Sequence, residues 1–143
     1  MLQGKIKQTN PEKKLRRVLA ASTLDGDSVR NSAGDNLGKV DDIMIDIPSG
    51  RVAYAVLSFG GVLGIGSKLF AIPWSALRVD EDEKCFILDL DQRTLENAPG
   101  FDKDNWPDMA NVAWGAKIHH YYGVSPFWEE YEQERSLHGG GGV

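Results

Sequence analysis

One stretch constrains the chain more than any other: "LGKVDDIMIDIPSGRVAYAVLSFGG", Leu37 to Gly61. Two long β-favouring runs flank "PSGR", a tight turn with glycine at its third position, so the stretch reads as a β-hairpin. In the first arm Leu37, Ile43, Ile45 and Ile47 share one parity. In the second, Val52, Tyr54 and Val56 alternate with Ala53, Ala55 and Leu57, so both faces are apolar. A strand apolar on both faces must be covered on both sides. The same texture extends from Asp25 to Asp91. "DGDS" and "SAGDN" are turn clusters, "KLFAIPW" is a strand stopped by Pro73, and "SALRVDEDEKCFILDL" gives two short strands around an acidic loop. Val18 to Ser22 reads as a further strand. Short strands at this spacing, with no crossover helix between them, predict a small antiparallel barrel, because closure removes exposed edges.

Beyond Asp91 the pattern changes. "QRTLENAPGFDKDNWP" reads as loop. "NWPDMANVAWGAKIHHYYG" reads as a helix capped by Asn105, with Pro107 and Asp108 in its first turn and Gly123 as its stop. Met109, Val112, Ala113, Ala116 and His120 form its apolar stripe. Trp106, Trp114, Tyr121, Tyr122, Phe127 and Trp128 follow one another closely, and each ring can bury roughly 150–250 Å². The resulting division is a flexible basic arm over 1–17, a barrel over 18–98, a helical and aromatic extension over 99–130, and a flexible tail over 131–143.

Charge separates along the chain. The formal net charge is −5. Lys5, Lys7, Lys13, Lys14, Arg16 and Arg17 face only Glu12 within the first 18 residues, giving that segment +5 and the rest −10. An acidic body repels nucleic acid, and the arm has no aromatic residue for base stacking. No apolar run reaches the roughly 20 residues of a membrane-spanning helix. The N-terminus has no apolar core of a secretory signal, and Cys85 is the single cysteine, so the expected compartment is the cytoplasm.

Asp41, Asp42 and Asp46 lie in a strand pattern that puts Asp41 on the opposite face, unlike a calcium loop. "GGVLGIG" precedes a strand rather than the helix a phosphate loop requires. Ser75 has no partnered base at a recognisable spacing. His119 and His120 are neighbours about 100° apart on a helix, whereas zinc-binding helices place histidines at i and i+4; the expected arrangement has His120 in the apolar stripe and His119 facing water. Cys85 reads as a buried inert thiol. No cofactor, metal or catalytic residue is assigned.

Leu37 to Gly61, then "LFAIPWSALRV" and "FILDL", resemble the PRC-barrel family: an L-G-x-V-x-D opening strand, a hairpin with glycine, a strand ending in aromatic-glycine, and an aliphatic-Pro-Trp element. The family includes the cytoplasmic domain of the photosynthetic reaction centre H subunit and the C-terminal domain of the ribosome maturation factor RimM. The resemblance implies a mainly β fold, a PRC-type barrel of about six antiparallel strands with a C-terminal extension, and a scaffolding habit without catalytic residues. The expected function is a non-enzymatic adaptor for protein assembly. An RNA- or ribosome-associated role and an accessory role in a membrane electron-transfer complex are the alternatives that the family relatives suggest. The candidate contact residues are Val62, Leu63 and Ile65 in the glycine-rich flap, with Trp114, Tyr121, Tyr122, Phe127 and Trp128 in the extension. The aromatic arm covers either its own barrel or a neighbour's; the second arrangement yields a dimer or larger homo-oligomer.

Overall fold

Six strands form one sheet that curls into a half-barrel, in a computed structural model that describes residues 18–20, 28–60 and 67–129. They are β1 (Ser28–Arg30), β2 (Asn36–Asp46), β3 (Arg51–Gly60), β4 (Ser67–Pro73), β5 (Leu77–Asp80) and β6 (Cys85–Leu88). Their spatial order is β4-β3-β2-β1-β6-β5. Two helices lie wholly within the described residues that follow, α1 (Gln92–Glu96) and α2 (Val112–Tyr122). The basic arm, the flap residues Val62, Leu63 and Ile65, and the tail lie outside the described residues.

The mainly β expectation holds, with two corrections to the topology. The β1–β6 pairing is parallel, while the other four pairings are antiparallel. A parallel neighbour needs a long crossover, and here the strands between β1 and β6 provide it. The sheet also does not close on itself: β4 and β5 stand at its two ends, joined by a 3₁₀ turn at Trp74–Ala76. The β4 edge is covered instead by the extension. Leu69 and Phe101 exchange both backbone hydrogen bonds, at 2.9 and 2.8 Å. Val18–Ala20, expected in a strand, has no regular structure, and Val18 is 91% exposed.

Strand β2 breaks the parity read from its sequence. Its pairing slips at Val29/Arg30 on the β1 side, and at Val40/Asp42 and Met44/Ile45 on the β3 side. The first two leave Leu37 and Asp41 as extra residues on β2, and the third leaves Ala53 as an extra residue on β3. Leu37 and Val40, of opposite parity, are both buried, whereas Ile45 and Ile47, near the hairpin tip past the end of β4, are solvent-exposed. Gly38 sits among these slips at φ +126°, and a Cβ there would lie 2.2 Å from the Ser58 carbonyl oxygen.

Strand β3 is covered on both faces, as its sequence predicts. Ala55 and Leu57 join Phe70, Ile72 and Phe86 inside the half-barrel. Tyr54 faces the other way, with Ala71 and Ile118 of α2. The extension supplies that second cover. Cys85 is a buried free thiol, and Trp74 packs its ring edge-on to Phe86 at 5.8 Å.

The segment read as loop after Asp91 contains α1. The Asp91 carboxylate caps it by accepting from the Thr94 amide at 2.7 Å, and hydrogen bonds from the Thr94 side chain and amide hold the Asp91 carboxyl below its ordinary pKa. One turn of helix suffices to bury Leu95 and Ala98 in the core. A five-residue helix shows too little periodicity to be read from sequence.

Candidate functional site: the seat of the C-terminal arm

Helix α2 begins six residues later than its sequence suggests. The cap is Asn111, not Asn105: its side-chain oxygen accepts from the Trp114 amide at 2.9 Å. Asp108 caps a separate preceding turn through the Ala110 amide. Gly123 does end the helix, in the left-handed conformation at φ +71° that favours glycine.

The helix also faces the other way from its predicted stripe. Val112, Ala113, Ala116 and His120 are exposed, and Gly115, Ile118 and His119 are buried. Rings bury more area than alanines, so the face bearing His119 and Tyr122 outweighs the alanine face. Gly115 makes the close approach possible. A Cβ at Gly115 would lie 2.9 Å from the Trp128 ring and 2.9 Å from the Tyr54 hydroxyl.

His119, expected to face water, is the centre of this seat at 1% exposure. Its ring lies 5.4 Å from Tyr54, 5.6 Å from Phe127 and 5.4 Å from Trp128. Nδ1 is 2.7 Å from the Gly115 carbonyl oxygen, which can only accept. The Phe127 amide donates to Nε2 at 3.3 Å. These partners assign the proton to Nδ1 and make His119 a neutral clip between α2 and the segment after Gly123.

The other aromatic residues singled out in the sequence build the same contact. Trp114 and Phe127 meet the Tyr54 ring edge-on at 5.5 and 5.7 Å. Tyr121 donates to the Thr94 carbonyl at 2.6 Å, tying α2 to α1. Tyr122 packs against both core clusters. Within this single chain the arm lies on its own barrel.

Two buried hydroxyls, Tyr54 and Tyr122, have no hydrogen-bond partner among the described residues. Burial raises the Tyr54 pKa to about 12, and burial with the neighbouring Tyr121 raises that of Tyr122 further. Both folded-state values lie above the unfolded value near 10. The corresponding stability is fully present below pH 10 and is lost as pH rises through the folded values. An alkaline titration followed by tyrosinate absorbance should show two of the chain's four tyrosines ionising late, together with unfolding. Four tyrosines titrating together near pH 10 would contradict this.

Beside the arm, an open groove of about 540 Å³ separates the tip of the β2–β3 hairpin from the start of α2. Phe127 and Trp128 line it, with Met44, Ile45, Ile47 and Val112. Ile45 is 53% exposed, Ile47 82% and Val112 62%. Asp46 is the only charged side chain among the described lining residues. Sequence reasoning missed this groove because it placed Ile45, Ile47 and Val112 inside. The available signal was "IMIDIP", an apolar run reaching the very tip of a hairpin.

The strand acids serve the backbone. Asp42 accepts from the Ile43 amide, and Asp46 from the Ser49 amide and hydroxyl. Ser75 is exposed in the 3₁₀ turn, which has no side-chain cap. Among the described residues, no group of three or more His, Cys, Asp or Glu is placed to hold a metal ion, and no helix is long and apolar enough to cross a membrane.

The half-barrel, the hairpin and the aliphatic-Pro-Trp corner agree with a comparison of the whole chain. The family model for the PRC-barrel domain matches residues 16–95. The chain belongs to the PRC-barrel family. The match takes in the sheet and most of α1; α2 and the aromatic segment lie beyond it. No curated protein matches the chain.

Proposed function

We propose that this PRC-barrel protein is a non-enzymatic, cytoplasmic adaptor that holds a protein segment in the groove between the hairpin tip and α2. The observation that carries the reading is the cluster of Ile45 on β2, Ile47 in the hairpin turn and Val112 at the start of α2, three large apolar side chains open to solvent. Exposed apolar groups gathered around a groove mark a contact surface. Met44 and Met109 border it, and methionine adapts to varied partners. The aromatic Trp128 offers an anchor of the kind enriched at binding hot spots. Asp46 lines the groove and Asp108 adjoins it, with no Lys or Arg lining it among the described residues. Charge complementarity therefore favours a partner segment with apolar anchors flanked by Lys or Arg.

A photo-crosslinking residue at Ile47 or Val112 tests this in the native cell. The expected adducts are protein segments of that composition, and they should disappear when the remaining position of the pair is changed to lysine. Adducts to RNA would favour the ribosome-associated reading instead. Adducts to a second copy would identify the homo-oligomer, which sedimentation at increasing concentration would then confirm.

A further inference from the structure

We infer that the groove binds the chain's own basic N-terminal segment, residues 1–17, which therefore competes with any external partner. This rests on the adaptor reading of the groove and names how that site is regulated. The segment has the composition the groove favours. Leu2, Ile6 and Leu15 are apolar anchors, each with Lys or Arg within a few residues, and the segment carries +5. The rest of the chain carries −10, so attraction is long-ranged at low salt and weakens as salt screens it.

The topology brings the segment to the right end of the sheet. β1 is antiparallel to β2, with Ser28 opposite Lys39 and Arg30 opposite Asn36. The chain therefore enters β1 from the side of the hairpin tip. Ile47 lies eight residues beyond Lys39, about 26 Å at roughly 3.3 Å per residue. Residues 18–27 can span about 33 Å when extended. The segment thus reaches the groove without leaving its own chain. A tether of this length gives an effective concentration of roughly millimolar, enough for weak contacts to occupy the groove.

The test uses the full chain with Gly4→Cys carrying a nitroxide label; Cys85 is buried and stays unlabelled. Paramagnetic broadening is read on backbone amides at low salt. The expected result is selective loss of the Ile45, Ile47, Met109 and Val112 signals, independent of protein concentration. Signals should recover in high salt, and also with Lys13→Glu, Lys14→Glu, Arg16→Glu and Arg17→Glu combined. Ile47→Lys with Val112→Lys should abolish the broadening too; both positions are exposed, so the fold is retained, and unchanged amide shifts in β1–β6 verify it. Broadening spread evenly over the acidic surface, or none, overturns the inference. So does broadening that appears only between labelled and unlabelled copies, which would place a neighbour's segment in the groove. Crosslinked partners obtained with no selective broadening would sink this inference and leave the adaptor reading standing. Selective broadening with no partner adducts would do the reverse.

Discussion

Replacing Gly38 by alanine is expected to destabilise the protein by about 3 kcal/mol or more. Two effects add. At φ +126° an L side chain is strained, which costs about 1–3 kcal/mol. The new Cβ would also meet the Ser58 carbonyl oxygen at 2.2 Å, with the Leu57 side chain at 3.2 Å. The Ser58 carbonyl belongs to the backbone of the paired strand, so β2 and β3 would have to separate locally. Gly34→Ala is the control. Gly34 has φ +91° but nothing within 4 Å of a Cβ, so it should show strain alone, about 1 kcal/mol. Denaturant midpoints of the two variants separate the effects. Equal losses would mean that contact with Ser58 contributes nothing.

Tyr54→Ala is expected to cost about 3–5 kcal/mol, the range for removing a buried aromatic ring. The ring is 1% exposed and touches Trp114, His119 and Phe127. Its loss should loosen α2 before the sheet, because the inward face of β3 keeps its own partners. Amide exchange should therefore accelerate in Val112–Tyr122 more than in β2 and β3. Tyr54→Phe keeps the ring and deletes a hydroxyl without a partner among the described residues. That change should be neutral or stabilising by up to about 1 kcal/mol. If Tyr54→Phe proves as damaging as Tyr54→Ala, the hydroxyl makes a bond that matters. If amide exchange rises uniformly, the arm and the sheet form one cooperative unit.

Much of the fold could be read from local pattern. The hairpin at "PSGR", the two-sided burial of "VAYAVL", the stop at Pro73, the buried Cys85 and the helix end at Gly123 all depend on residues close in sequence. The misreadings share one cause. Parity along β2 fails because Leu37 and Asp41 are extra residues against partners on other strands, and because the hairpin tip runs past β4. The stripe on α2 fails because alanines and a valine look more apolar than glycine, histidine and tyrosine. A scale of hydrophobicity does not register that Gly115 admits Trp128, or that His119 has hydrogen-bond partners on both nitrogens.

The sequence alone determined the class of the molecule, the PRC-barrel strands and their turns, the division between acidic body and basic arm, and an aromatic segment that needs a surface to cover. These follow from periodicity, turn chemistry and charge, which are properties of neighbours along the chain. Only the tertiary structure decided which surface was covered and which was left open. His119 is inside because β3 presents Tyr54 to it, while Ile45, Ile47 and Val112 are outside because the hairpin extends past β4 and α2 turns its other face to the sheet. Burial is settled between elements far apart in sequence, so the apolar groove became visible only when those elements were placed together.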